Sequence, residues 1–304
     1  MSEEKILAAC RLCPRRCGVN RYKRRGFCGA DALAEVALAT LHPWEEPCLV
    51  GEKGAWAVFF AHCSLRCVYC QNHEISQERD GVPVSVERLA QIFLAAEREG
   101  AATLDLVSPT HYLPQLLTAL DMAKKDGLSL PVVYNSGGYE ELASLDMLRG
   151  KIDIFLPDLK YREEASAAEY SGAADYFAVA AAALRRMVAI TGEVEISPTG
   201  IMQKGVLVRH LVLPGHRHES MRLLDWLWSE FEGSIYLSLM RQYTPLYRAK
   251  EHPPLHRRLT TFEYESVVDH AAALGFTQCY VQEPSAASAE YVPLFDGRGV
   301  VLNM

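Results

Sequence analysis

Apolar and polar positions follow two periods that alternate along most of the chain. Residues 55–61 are a continuous apolar run of strand length, the pattern of a strand buried on both faces. Ser85 then stands as the N-cap of a helix in which Leu89, Ile92, Phe93 and Ala96 share one face, with Gly100 as its stop. The alternation continues with strands at 103–107, 131–134, 152–156, 206–213, 234–239 and 278–281. Helical patterns fall at 113–125, 140–149, 177–189, 221–231 and 262–274, and an alanine-rich stretch before 177 is broken near Gly172. Regular β–α alternation predicts a parallel sheet with right-handed crossovers. Six or seven such units predict an α/β fold, a partial (β/α)6-type parallel barrel. No linker of low complexity and no repeat beyond the β–α unit interrupts it.

In β/α barrels the working residues sit at the C-terminal ends of the strands. The first strand runs into a cysteine loop. The second ends in Ser108-Pro109-Thr110-His111, the third in Asn135-Ser136-Gly137-Gly138, the fourth in Asp158-Leu159-Lys160, and the sixth in Met240-Arg241-Gln242-Tyr243. These groups are expected to line one opening. The fifth strand carries Arg209 and His210 in its interior. Its period of two puts Leu207, Arg209, Leu211 and Leu213 on one face and Val206, Val208, His210 and Val212 on the other, so only one of the two polar residues points into the barrel.

The cysteine loop reads Cys63-x3-Cys67-x2-Cys70. Three thiolates leave one iron of a cubic [4Fe–4S] cluster without a protein ligand, and an open metal position is what chemistry needs. S-adenosylmethionine (SAM) is the natural occupant, since its amino and carboxylate groups can chelate that iron. A three-cysteine zinc site or a redox-inert loop is the structural alternative. A second set, Cys10-x2-Cys13-x3-Cys17-x10-Cys28, supplies four thiolates and therefore predicts a closed site. Zinc would make it structural, a second iron–sulfur cluster would make it an auxiliary centre, and an unmetallated loop is the third reading. Pro14 and the tight spacing lean towards iron. So short a segment rarely folds on its own core, so a metal staple is expected. The division that follows is a cysteine-rich extension over 1–50 and a barrel over 51–304. Cys48 lies near enough in sequence to serve either site, and Cys279 is expected in the core.

Composition narrows the setting. The 304 residues are 49% hydrophobic and 23% charged, a globular balance, with no apolar run of transmembrane length. The start, Met1-Ser-Glu-Glu-Lys, lacks the basic flank and apolar core of a signal peptide, so a cytoplasmic location and no membrane partner are expected. There, nine cysteines read as metal ligands rather than disulfides. Residues 1–30 carry a net charge of +6 on a chain whose total is −7. Such a module can steer an acidic electron carrier or a nucleic acid, or it can be a solvated surface whose arginines support cluster sulfurs. No phosphate loop, dinucleotide fingerprint or acid–base constellation stands out.

Around the three cysteines, Tyr69 precedes the last one, Glu45-Glu46-Pro47 and Phe59-Phe60 come before, and Gln71-Asn72-His73-Glu74-Ile75-Ser76 follow. With these, the chain resembles the radical SAM superfamily over nearly its whole length, in particular the branch of the pyruvate formate-lyase activating enzymes and their poorly characterised relatives. The resemblance implies an open (β/α)6 barrel and a [4Fe–4S] cluster on Cys63, Cys67 and Cys70 with SAM beside it. It also implies a low-potential electron donor of flavodoxin or ferredoxin type. A 5′-deoxyadenosyl radical would then abstract hydrogen from a protein, peptide or small-molecule substrate; in that branch the target is a backbone glycine of a partner enzyme. The second cysteine set shifts the balance towards enzymes that oxidise or anchor their substrates, because the simplest activases lack one.

For single residues, the resemblance places Tyr69 near the adenine, and Asn135 and Ser136 towards the ribose or methionine. Lys160 would reach the SAM carboxylate, a surface salt bridge to Asp158 being the plainer reading. Arg209 is selected over His210 as the inward residue, its fork suiting a carboxylate. Where the relatives hold the SAM amino group with Gly-Gly-Glu, this chain has Ser108-Pro109-Thr110, which leaves that contact to backbone carbonyls near Ser108. A protein of another class, an iron–sulfur electron carrier or a nucleic-acid binder, would leave the three-ligand spacing unexplained.

Overall fold

The alternation appears as one sheet with helices on its outer face in a computed structural model, which describes residues 3–78, 81–286 and 293–301. In chain order the elements are α1 (Glu3–Ala8), β1 (Ala34–His42), α2 (Pro47–Val50), β2 (Ala55–Phe60), β3 (Val82–Val84), α3 (Val86–Glu99), β4 (Leu104–Val107), α4 (Leu113–Lys125), β5 (Val132–Ser136), α5 (Leu142–Met147), β6 (Ile154–Pro157), α6 (Glu164–Ser171), α7 (Tyr176–Thr191), β7 (Glu195–Ile196), β8 (Met202–Leu211), α8 (Arg217–Phe231), β9 (Tyr236–Met240), α9 (Thr261–Leu274) and β10 (Cys279–Val281). The strand order is β10-β9-β8-β6-β5-β4-β2-β1-β3. Every pair from β2 to β10 is parallel, while β1 and β3 add antiparallel and β7 pairs back on β8. Six β–α units followed by β10 make an open, partial barrel. Among the described residues no helix is long and apolar enough to cross a membrane.

Strand parity sorts the side chains into two layers. Trp56, Val58 and Phe60 of β2, Leu104 and Leu106 of β4, and Val206, Val208 and Val212 in and after β8 pack outwards against the helices. Inward, Val133, Ile154, Leu156 and Leu207 meet Cys48 and Leu49 of α2, which close the interior. Thr103 Oγ1 donates to Leu49 O at 2.9 Å and ties α2 in place. Ser85 caps α3 by accepting from Arg88 N at 3.2 Å, and Gly100 ends it in the left-handed region, as the sequence predicts.

Several boundaries differ from the periodicity. β1 lies inside the stretch assigned to the cysteine-rich extension, yet it pairs with β2 from Val36–Phe60 to His42–Ala55 and so belongs to the sheet. Its four small or polar positions, Ala34, Glu35, Ala37 and Ala39, hide the strand signal. The helix expected over 140–149 shortens to α5 because the Glu140 carboxylate is held by Thr110 Oγ1 at 2.7 Å and Tyr134 Oη at 3.2 Å. α8 begins at Arg217 rather than 221, and β8 begins at Met202 rather than 206. Cys48 serves neither cysteine site, being buried among Leu49, Val133 and Met202.

Candidate active site

The three cysteines of the 63–70 loop share one wall of a cavity of about 180 Å³ at the C-terminal mouth of the strands. β2 delivers them there, and His62, directly before Cys63, turns the chain with φ 72°. Ser108 takes φ 58° at the end of β4. Neither residue is glycine, and such backbone costs about 1–3 kcal/mol, held only where the surroundings impose it. Leu65 N donates to Cys63 Sγ at 3.4 Å, Ser171 Oγ lies 2.9 Å from Cys67 Sγ, and Ser76 Oγ lies 3.4 Å from Cys70 Sγ. All three thiols are free of disulfides. Burial pushes the Cys63 thiol up to about 12 and that of Cys70 to about 11, so both stand protonated unless a cation joins them.

These observations suit an iron–sulfur cluster with three protein ligands. The thiols face one space, and each sulfur has a nearby hydrogen-bonding group of the kind that tunes such clusters. Among the described residues no three His, Cys, Asp or Glu groups are arranged to hold a single metal ion. A cubic cluster differs in that each thiolate binds a different iron, so its ligands surround a volume instead of a point.

The same cavity is lined by a layer of buried charge. Arg209, inward on β8, donates from Nε to Asp158 Oδ1 at 3.0 Å, from Nη1 to Glu45 Oε2 at 3.2 Å and from Nη2 to Asn135 Oδ1 at 2.6 Å. Asn135 Nδ2 donates in turn to Asp105 Oδ2 at 3.1 Å. The carboxylate that suits Arg209 is therefore supplied by the chain itself. His210 faces the helices, with Nε2 2.9 Å from Ser220 Oγ on α8 and Nδ1 2.7 Å from Leu159 O. Lys160 Nζ reaches Asp158 Oδ2 at 2.6 Å, but the pair is no surface bridge: the two side chains are 16% and 18% exposed and line the cavity.

Burial alone would raise the Asp158 carboxyl, but Lys160 and Arg209 outweigh it and hold it below the ordinary range. Burial would likewise discharge Lys160, yet Asp158 and Cys67 keep its pKa above normal. Burial raises Asp105 well above a normal carboxyl and Glu46 to about 7, against the pull of Arg209.

Ser108, Asn135, Ser136, Lys160, Arg209 and Tyr69 all line the cavity, and Met240 and Gln242 join them. Tyr69 is mostly buried, with its hydroxyl 2.6 Å from that of Tyr161. Ser136 also accepts from Gly138 N at 3.3 Å. Four polar strand-end residues expected in the opening are missing from the cavity wall. Thr110 bonds Glu140, His111 Nε2 lies 2.7 Å from Ala61 O, Arg241 donates to Thr261 at 2.7 Å, and Tyr243 donates to Leu255 O at 2.5 Å. Each has a backbone or side-chain partner that draws it off the mouth.

The periodicity did not reveal Ser171, Tyr161 and Glu45. Ser171 sits on the last turn of α6, and Tyr161 Oη lies 2.7 Å from its Oγ, completing a chain from Tyr69 to the Cys67 sulfur. Next to the cavity is a recess of about 200 Å³ walled by His42, Trp44, Glu45 and Glu46, and the two share Gln71, Arg209, Met240 and Gln242. Cys10, Cys13, Cys17 and Cys28 lie outside both, in the loop between α1 and β1.

Several of the basic N-terminal residues are engaged within the chain. Arg16 pairs with Glu141 at 2.6 Å, Arg25 with Glu35 at 3.5 Å, and Arg21 donates to the carbonyls of His111 and Asp31.

No family model matches the chain. Its fold is similar to that of a solved cysteine-to-alanine mutant of spore photoproduct lyase, with TM-score 0.50 and 14% identity over 80% of this chain and 79% of that one. It is also similar to native anSMEcpe with bound AdoMet, with TM-score 0.50 and 13% identity over 69% and 57%. Streptococcus suis SuiB matches at TM-score 0.46 and 13% identity over 73% of this chain, which spans about half (47%) of SuiB. The mixed α/β architecture with a mainly parallel sheet is thus shared with spore photoproduct lyase and anSMEcpe. In sequence, the chain is 30% identical over 278 residues to the uncharacterized protein MJ0674 of Methanocaldococcus jannaschii, covering 88% of this chain and 75% of that protein. At that identity and coverage, the chain belongs to the same family as MJ0674.

Proposed function

We propose that the protein is a radical SAM enzyme, with a [4Fe–4S] cluster on Cys63, Cys67 and Cys70 and SAM in the adjoining cavity. The observation that carries this reading is the convergence on one cavity of three free cysteines, each beside a hydrogen-bonding group, and a fixed cation pair, Lys160 and Arg209. Held by Cys63, Cys67 and Cys70, a [4Fe–4S] cluster would supply the single electron for reductive cleavage of SAM, and so the radical chemistry that abstracts hydrogen from substrate.

The chain's own residues bind, orient and exclude water. Lys160 keeps its positive charge for the methionine carboxylate, with Asp158 fixing its position. Asn135 and Ser136 present polar groups at the strand ends for the ribose or methionine. Ser108, on its constrained backbone, offers a carbonyl to the SAM amino group. Tyr69 walls the adenine side. Arg209, locked by Asp158, Glu45 and Asn135, holds the strand ends at a set spacing rather than acting as a mobile clamp. Substrate reaches the cavity through the recess at Trp44, which is 61% exposed at its rim.

The finer reading is an activating enzyme that makes a glycyl radical on a partner protein, using an electron donor of flavodoxin or ferredoxin type. The residues flanking the cysteines support it. A peptide or metabolite substrate within the same reaction class is the second reading, favoured by the additional cysteine set.

The test is anaerobic reconstitution with iron and sulfide, then dithionite and SAM, with 5′-deoxyadenosine quantified beside a Cys63→Ala, Cys67→Ala, Cys70→Ala variant. Product from the parent alone is expected. No product from a cluster-loaded parent that binds SAM, with cell extract supplied as a source of substrate, would overturn the reading. A lasting glycyl signal by electron paramagnetic resonance would single out the activase.

A further inference from the structure

The N-terminal loop that carries Cys10, Cys13, Cys17 and Cys28 has no helix or strand between α1 and β1, yet three of its thiols are buried. Backbone turns shape it around the sulfurs. Cys10 N donates to Val19 O and Gly18 N to Cys10 O, both at 2.9 Å, which sets Cys10 against the strip holding Cys17. Arg16 N donates to Cys13 O at 2.9 Å, and Gly29 N to Gly26 O at 3.1 Å, turning the chain at Cys13 and at Cys28. A Cβ on Gly26 would lie 3.2 Å from Cys17 Sγ and 3.8 Å from Cys28 Sγ, so two sulfurs flank that one residue. Cys13 is within electrostatic reach of Cys10 and Cys28, and Cys28 of Cys10 and Cys17. None is in a disulfide. The lobe's buried apolar residues, chiefly Leu7, Leu12, Val19 and Ala30, belong to the main core shared with the barrel.

The lobe also grips the other cysteine loop through two arginines. Arg15, between Cys13 and Cys17, donates from Nε to Ser64 O at 3.0 Å. Arg66, between Cys63 and Cys67, donates from Nη2 to Phe27 O at 2.6 Å, next to Cys28. Both guanidinium groups lie over the Phe27 ring, at 4.2 and 5.1 Å from its centre. Each arginine sits inside one cysteine motif and binds the backbone of the other.

We propose that Cys10, Cys13, Cys17 and Cys28 bind a metal centre of their own, and that this centre anchors the 63–70 loop through Arg15 and Arg66. Four thiolates fill the coordination of a [4Fe–4S] cluster, each on a different iron, leaving no open position for substrate, whereas no three of them converge on a single ion. The anchoring role connects this centre to the catalysis proposed above; the metal binding itself does not depend on it.

The experiment uses the full chain lacking Cys63, Cys67 and Cys70 (all to Ala), so that any bound metal reports the N-terminal set alone. Anaerobic loading with iron and sulfide, and separately with zinc, is followed by metal and sulfide analysis. The expected result is one four-iron cluster per chain, which is lost on adding Cys13→Ala and Cys28→Ala. No iron and sulfide bound above the level of the variant lacking both sets, or zinc bound in their place, overturns the proposal, whether or not the parent cleaves SAM. For the anchoring, Arg15→Ala in the otherwise native protein keeps every thiol. Its metal content should be unchanged, while amide hydrogen exchange over 64–67 rises by about two- to tenfold, the size of one lost hydrogen bond. Unaltered exchange there overturns the anchoring role.

Discussion

Arg209 Nε lies 3.0 Å from Asp158 Oδ1, joining the inward face of β8 to the residue that follows β6. The same carboxylate holds Lys160 through its other oxygen, so one acid sets the position of two cations at the mouth of the barrel. Replacing Arg209 by Met leaves Asp158 and Glu45 facing each other's field without the cation between them. The expected loss is about 3 kcal/mol in denaturant unfolding, and adding Asp158→Asn should recover part of it. Equal stability of Arg209→Met and the parent would remove Arg209 from the set of residues that hold the strand ends.

Lys160→Met is expected to weaken SAM binding by about ten- to a hundredfold, the worth of one hydrogen bond to a charged group. Isothermal titration of the cluster-loaded protein under argon reads this directly. An unchanged Kd would mean that Lys160 serves only Asp158.

Ser171→Ala removes the hydroxyl 2.9 Å from Cys67 Sγ and breaks the chain through Tyr161 to Tyr69. Hydrogen bonds to cluster sulfurs favour the reduced form, so the midpoint potential should become more negative. A redox titration followed by electron paramagnetic resonance tests the sign; a positive shift would contradict it.

Glu219, in the first turn of α8, accepts from the backbone of Arg162 and Glu163, both at 2.9 Å, and from Ser166 at 2.8 Å, and so supports the start of α6. Burial works against its ionisation, but His216 and these donors bring its pKa down to about 2. A carboxyl depressed on folding stabilises fully above its unfolded value near 4.5 and loses that contribution as pH falls towards 2. Glu219→Gln should therefore cost about 2 kcal/mol at pH 7, with the difference from the parent shrinking as pH falls from about 4.5 to about 3. Unfolding midpoints across that range would show a constant gap if Glu219 were merely packing.

Gly138 takes φ 75°, and a Cβ there would lie 2.2 Å from Asp158 O. Tyr176 Oη is within reach of Gly137 O at 2.9 Å and Asp158 O at 2.7 Å and accepts from Lys160 N at 3.0 Å, so this packing sets the height of the Asp158–Lys160 pair. Gly138→Ala should cost about 2 kcal/mol or more and weaken SAM binding with it. Loss of stability with an unchanged SAM affinity would show that the pair tolerates the displacement.

Much of this was legible in the residues themselves. Periodicity identified the core strands and helices of the barrel because each has a face to bury, and Ser85 and Gly100 marked the ends of α3 through local backbone chemistry. Parity along 206–213 showed that Arg209 and His210 point to opposite faces, since successive side chains in a strand alternate. The spacing of Cys63, Cys67 and Cys70 marked one loop of candidate ligands without any fold. What only the tertiary structure decided is what these groups touch. β1 was hidden because alanines carry little strand signal, and it exists because β2 offers an edge to pair with. Asp158 and Glu45 meet Arg209 from positions 51 and 164 residues away in the chain, and Ser171 meets Cys67 across 104. No local pattern encodes such meetings, because they depend on how the strands are ordered in the sheet and on which helix packs over which strand end.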